Sequence, residues 1–149
     1  MSGRKAARLA QLESRIDLCG DLRGKLVFDV GTGTGALAFL AARRGARVLA
    51  TETEPRAVAC ARENAERLGL TSQVEVLEGD LFPEGRADLV LCNPPWVPAD
   101  AHTPLERAVY DPGGRFLAGF LAPRGQSLPR AGGVVCDHFR MTEPALAAP

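Results

Sequence analysis

KLVFDVGTGTG, residues 25–35, carries more architectural information than any other stretch of this chain. Lys25 to Val30 is a short apolar run interrupted only by Asp29, the pattern of a strand covered on both faces. It runs directly into the glycine-rich turn Gly31-Thr32-Gly33-Thr34-Gly35. Behind the turn, Ala36 to Arg44 reads as a helix that Gly45 can stop in a left-handed cap. Gly31 and Gly33 would let the backbone approach a bound molecule with no side chain in the way. In doubly wound sheets such a turn is the usual ligand seat, because ligands lie at the carboxyl ends of the strands where the chain reverses direction.

The same alternation continues outward. Arg47 to Thr51 reads as a second strand. Pro55 suits the first turn of the next helix, whose apolar stripe is Val58, Ala61, Ala65 and Leu68 and whose end is Gly69. Val74 to Leu77 alternates like a strand near a sheet edge, and Ala87 to Cys92 reads as a fourth strand. Strand, helix, strand, helix, strand at this spacing implies right-handed crossovers and a mostly parallel sheet. The predicted fold class is α/β, Rossmann-like and doubly wound. Upstream, residues 6–18 carry Leu9, Leu12 and Ile16 at helical spacing. Downstream, residues 93–114 form a loop rich in proline and polar residues, and Tyr110-Asp111-Pro112-Gly113 is expected to cap the short helix Arg115–Ala122. Gly132 to Cys136 is a candidate fifth strand. The stretch LAPRGQSLPRAGG (121–133) breaks what would be a full helix, and HFRMTEPALAAP shows no strand-like alternation. The sheet is therefore expected to be truncated after its fifth strand, with an exposed edge.

A chain of 149 residues fits one domain, and its 46% apolar and 24% charged residues are ordinary globular values. Formal net charge is zero, so no bulk field advertises nucleic acid or a membrane. Arg4, Lys5, Arg8 and Arg15 make the N-terminus basic, and we read them as a solvated helix face rather than a phosphate contact. No run approaches the ~18 apolar residues of a membrane span. The start lacks the apolar core of a secretory signal. Cys19, Cys60, Cys92 and Cys136 are far apart and only two histidines accompany them, so no metal site is expected. Cytoplasmic thiols are the corresponding reading, with Cys60 and Cys92 as small core residues.

Three acids and one knuckle carry the chemistry. Glu52, ending the second strand, suits ribose hydroxyls, which NAD and S-adenosylmethionine both possess. Gly31-x-Gly33-x-x-Ala36 also satisfies a loosened dinucleotide fingerprint. Asp29, just before the glycines, repels a pyrophosphate and favours a cationic ligand. Asp80, after the third strand, could accept from the exocyclic amine of adenine. Then LCNPPWVP (91–98) ends the fourth strand in an amide, two prolines and the only tryptophan.

DVGTGTG (29–35), ATETEP (50–55), EGD (78–80) and NPPW (93–96) occur in the order found in class I S-adenosylmethionine-dependent methyltransferases. More narrowly, the chain resembles the "methyltransferase small domain" group, which includes release-factor glutamine and ribosomal-RNA guanine-N2 methyltransferases. The resemblance covers roughly residues 24 to 120. It implies a helical extension at 1–23 and a methyltransferase catalytic domain at 24–149, atypical from about residue 122. It implies S-adenosylmethionine as cofactor. Asp29, Gly31, Thr32, Gly33 and Gly35 would line its methionine half, Glu52 would hold the ribose, and Asp80 with Leu81 would bracket the adenine. Asn93, also beside the cofactor, would form the acceptor site with Pro94, Pro95 and Trp96.

Those residue types suit a planar amine. A conjugated amino nitrogen is a poor nucleophile and must be held within about 3–3.5 Å of the methyl group it attacks. The Asn93 side-chain oxygen and the Pro94 carbonyl can each accept one N–H, aiming the lone pair and stabilising the charge that develops. The prolines restrict the backbone so that these acceptors are preorganised. Trp96 offers a flat face, worth about 1–3 kcal/mol against a base. The expected activity is N-methylation of a macromolecule: guanine N2 or adenine N6 of ribosomal RNA, or a protein glutamine on a release factor or ribosomal component. Two alternatives stand beside it. One is a catalytically incomplete domain that binds a cofactor or a partner, and the other is an NAD-dependent oxidoreductase, which leaves NPPW without a role. Phe116, Phe120, Arg107, Arg115 and His102 are weighed as a substrate wall. We read the phenylalanines as core and the others as surface.

Overall fold

Residues 27–30 and 89–92 are buried without a break, because successive side chains point to opposite faces of one sheet and both faces are covered. The computed structural model describes residues 3–95, 100, 102–103, 106, 110–122, 133–136 and 140–142. In chain order the elements are α1 (Gly3–Asp17), β1 (Leu26–Val30), α2 (Ala36–Arg43), β2 (Arg47–Glu52), α3 (Pro55–Arg67), β3 (Val74–Glu78), β4 (Leu89–Cys92), α4 (Arg115–Leu121), β5 (Gly133–Cys136) and β6 (Arg140–Thr142). The strands form one sheet in the order β3-β2-β1-β4-β5-β6.

Strand β1 lies between β2 and β4 and is parallel to both, with Val30 beside Thr51 on one side and Cys92 on the other. The chain steps outward from β1 to β2 and β3, then returns to the far side of β1 as β4. That reversal opens a crevice at the carboxyl ends of β1 and β4, immediately before Gly31 and Asn93.

Odd and even positions divide between two cores. Val27, Val48, Ala50, Leu89 and Leu91 pack with Leu12 and Ile16 of α1, Ala38 of α2, and Val58 and Ala61 of α3. Phe28, Val30, Val90 and Cys92 face the other way, against Leu81, Ala87 and Phe120 of α4. Phe28 and Leu91 are completely buried, each contributing about 1.5–3 kcal/mol of hydrophobic stabilisation. Helix α1 therefore shares the central core through Leu12 and Ile16. Its end is tied to α2, where Arg44 Nε donates to Asp17 at 2.9 Å.

The expectation that the sheet stops after five strands is corrected. β6 pairs antiparallel to β5, with Gly133 beside Thr142 and Val135 beside Arg140. Backbone hydrogen bonds alone can define so short a pairing, so no side-chain alternation announces it.

Candidate active site

Four strand ends and the loops that leave them enclose a cavity of about 710 Å³, within the range of small-molecule sites. Asp29, Gly31, Thr32 and Gly33 line it from β1 and its turn. Glu52, Asp80 and Leu81 line it from the ends of β2 and β3, and Asn93 and Pro95 from beyond β4. Sequence-predicted residues from all four motifs thus meet at one place.

The glycine turn is pinned to β2. Gly31 and Thr32 donate their N–H groups to the Thr51 carbonyl at 3.0 and 2.9 Å. Gly33 donates to Glu52 Oε2 at 2.9 Å. Gly33 has φ +58°, and a Cβ there would meet nothing within 4 Å, so this position faces open space. Gly35 differs. A Cβ there would come within 2.3 Å of the Phe39 ring, and Gly35 does not line the cavity; it admits α2 close to its own phenylalanine.

Asp29 is buried, at 1% exposure. Its Oδ2 accepts from Thr32 Oγ1 at 2.6 Å and from the Ala38 N–H at 3.1 Å. Its Oδ1 is equally buried and has no donor. Burial pushes this carboxyl up to about 6, against the pull of the Thr32 and Ala38 hydrogen bonds and with a further push from Glu52. A buried acceptor at the cavity wall without a donor fits a ligand carrying a cationic N–H group.

Glu52 does more than wait for hydroxyls. Oε1 accepts from the Thr53 and Glu54 N–H groups at 2.8 and 3.1 Å, while Oε2 accepts from Gly33. Backbone donors occupy most of its roughly four acceptor positions, leaving Oε2 with room for a hydroxyl. Asp80 is exposed at the cavity rim, and Leu81 beside it is buried with φ +59°.

Register brings the knuckle to the glycine turn: Val30 pairs with Cys92, so the residues that follow each are neighbours. Asn93 and Pro95 line the cavity, whereas Pro94 is fully buried and off its wall. Trp96 and Arg107 lie outside the described residues.

Some wall residues have no signal in the sequence. Leu12 of α1, Leu37 of α2 and Thr51 of β2 all line the cavity. Phe116 and Phe120, both read as core, separate. Phe120 is buried among Phe28 and Val90, while Phe116 reaches the cavity and approaches to 3.5 Å the place a Gly31 Cβ would occupy. Phe116 stacks on Phe120 at 6.2 Å between centroids, and Phe120 on Phe82 at 5.2 Å. The expected capping turn is present: the buried Asp111 carboxylate accepts from the Phe116 and Leu117 N–H groups at 2.9 and 3.1 Å. His102 is exposed, its backbone N–H held by Glu106. Among the described residues, no group of His, Cys, Asp or Glu is placed to hold a metal ion, and no helix is long and apolar enough to cross a membrane.

Residues 8–128 match the family described as ribosomal protein L11 methyltransferase (PrmA). The chain belongs to that family. Membership of the L11 methyltransferase family agrees with the class I S-adenosylmethionine-dependent methyltransferase motifs. An L11 methyltransferase from Pelotomaculum thermopropionicum is 43% identical over 119 residues, which are 76% of this chain and 36% of that protein. A release factor glutamine methyltransferase from Gloeobacter violaceus is 40% identical over 95 residues, 60% of this chain and 33% of that one. The chain thus spans about a third of the length of these curated relatives. Among solved structures, the T. thermophilus 16S rRNA N2 methyltransferase RsmC, in complex with AdoMet and guanosine, superposes with a TM-score of 0.60 at 26% identity. It covers 91% of this chain and 34% of that one.

Proposed function

We propose that this cavity binds S-adenosylmethionine and that the Asn93 corner presents a planar amino nitrogen to it, making the chain an N-methyltransferase domain. One observation carries the reading: Asn93 and Pro95 share a single cavity with Gly31 and the buried, donor-deficient Asp29. Asp29 Oδ1 receives the ligand's ammonium, and Gly31, Thr32 and Gly33 admit its methionine half. Glu52 Oε2 takes a ribose hydroxyl, and Asp80 with Leu81 borders the adenine. When bound, the cofactor supplies a methyl group on a positively charged sulfur.

The chain's own residues do the rest. The Asn93 side-chain oxygen accepts an N–H group of the acceptor, turning its lone pair toward the methyl carbon and stabilising positive charge on nitrogen, while the buried Pro94 restricts the backbone beside it. Phe116 offers a flat apolar surface for the conjugated group. The surplus proton leaves the nitrogen for water, so no protein base is required.

The acceptor is a ribosomal component or release factor, either a protein side chain or an amino group of ribosomal RNA. The activities of the relatives support both, and transfer of label from the methyl donor into a cell extract, sorted into protein and RNA, separates them. Asn93→Ala should reduce transfer at least a hundredfold while changing cofactor affinity less than about threefold. Equal loss of both would refute the clamp.

A further inference from the structure

We infer that Thr51 is the positioning residue for the nucleoside end of this site, an inference that rests on the cofactor reading above. Thr51 is 3% exposed, near the end of β2, and it grips two loops at once. Its main-chain carbonyl takes the Gly31 and Thr32 N–H groups, and its side-chain hydroxyl donates to the Leu81 carbonyl. The glycine turn and the Glu78-Gly79-Asp80-Leu81 loop, far apart in sequence, are thereby referenced to one residue.

Leu81 needs such a grip. It alone among the described non-glycine residues has φ in the left-handed region, at +59°. A residue with a Cβ avoids that conformation unless its surroundings impose it. Here two contacts do so. The Thr51 hydroxyl holds the carbonyl, and the side chain occupies a slot left by Gly119 of α4, where a Cβ would come within 2.6 Å of Leu81 Cδ1. With its backbone turned this way, Leu81 shares the cavity wall with Asp80. Removing the hydroxyl leaves a buried carbonyl unpaired and frees the loop to relax to negative φ, carrying Asp80 off the wall.

The test is titration calorimetry of the purified chain with S-adenosylhomocysteine and with S-inosylhomocysteine, in which a carbonyl oxygen replaces the exocyclic amine. The wild-type chain should prefer the adenosyl compound. Thr51→Val keeps the side-chain shape and strand preference. It should weaken adenosyl binding roughly tenfold and bring the ratio of the two affinities close to one, and Thr51→Ser should restore both. An unchanged ratio in Thr51→Val overturns the inference, whatever happens to its thermal stability. Should Thr51→Val fail to fold, Thr51→Ala, which also lacks the hydroxyl that holds the Leu81 carbonyl, should show the same loss of preference; a retained preference there is equally fatal. A wild-type chain that binds neither compound would instead remove the cofactor reading, and this inference with it.

Discussion

Keeping one carboxylate oxygen of Asp29 sealed away without a donor is costly once the group ionises. Its carboxyl titrates near 6 in the folded chain against 3.8 in the unfolded one, because burial outweighs the two hydrogen bonds it receives. The folded state therefore holds the extra proton between those values. The associated stability is complete below about 3.8 and is lost as pH rises through about 6. Asp29→Asn keeps an oxygen for Thr32 and Ala38 but cannot ionise. It should be at least as stable as wild type at pH 7.5, with an advantage that shrinks toward pH 4, measured by urea denaturation at each pH. A cationic ligand favours the ionised form, so wild-type affinity for S-adenosylmethionine should rise with pH up to about 6 and then level off. The Asn variant should bind about tenfold more weakly at pH 7.5 and lack that slope. Charge repulsion argued from the sequence singled out Asp29, but only the packing of α2 over β1 reveals that half of the carboxylate is stranded.

Among the elements, α4 joins the fold to the site most directly. It is short, with no side-chain cap from the glycine that precedes it, so its first N–H groups depend on Asp111 reaching forward from the preceding turn. Asp111→Ala should cost about 1–2 kcal/mol in urea denaturation, and Asp111→Asn, which keeps one acceptor, about half of that. Equal stability of all three chains would contradict this account. The Tyr110-Asp111-Pro112-Gly113 turn was legible because aspartate, proline and glycine each favour a turn for local reasons. Phe116 was not, since two phenylalanines four residues apart on a helix share a face and nothing local says which one reaches the cavity. The short strand β6 escaped for the opposite reason: its pairing is set by a partner strand, not by its own residues.

At the scale of the molecule, the sheet order β3-β2-β1-β4-β5-β6 turns four separate motifs into one site. If that site takes S-adenosylmethionine, ligand at one hundred times its dissociation constant should stabilise the folded chain by about 2.7 kcal/mol. This would appear as a rise in thermal midpoint, and NAD at the same concentration should produce no such shift. A shift with NAD alone would favour the oxidoreductase reading. What the amino-acid sequence determined unaided was the alternation of strand and helix, the glycine turn, the acids at strand ends and the knuckle. Each of these depends on the nature and spacing of residues close along the chain. Tertiary structure decided which side of β1 receives β4, that Leu12 and Phe116 wall the cavity, that Gly35 serves packing, and that Thr51 ties two distant loops together. Those outcomes depend on which apolar faces cover one another and which buried polar groups find partners, and contacts of that kind exist only once distant segments have met.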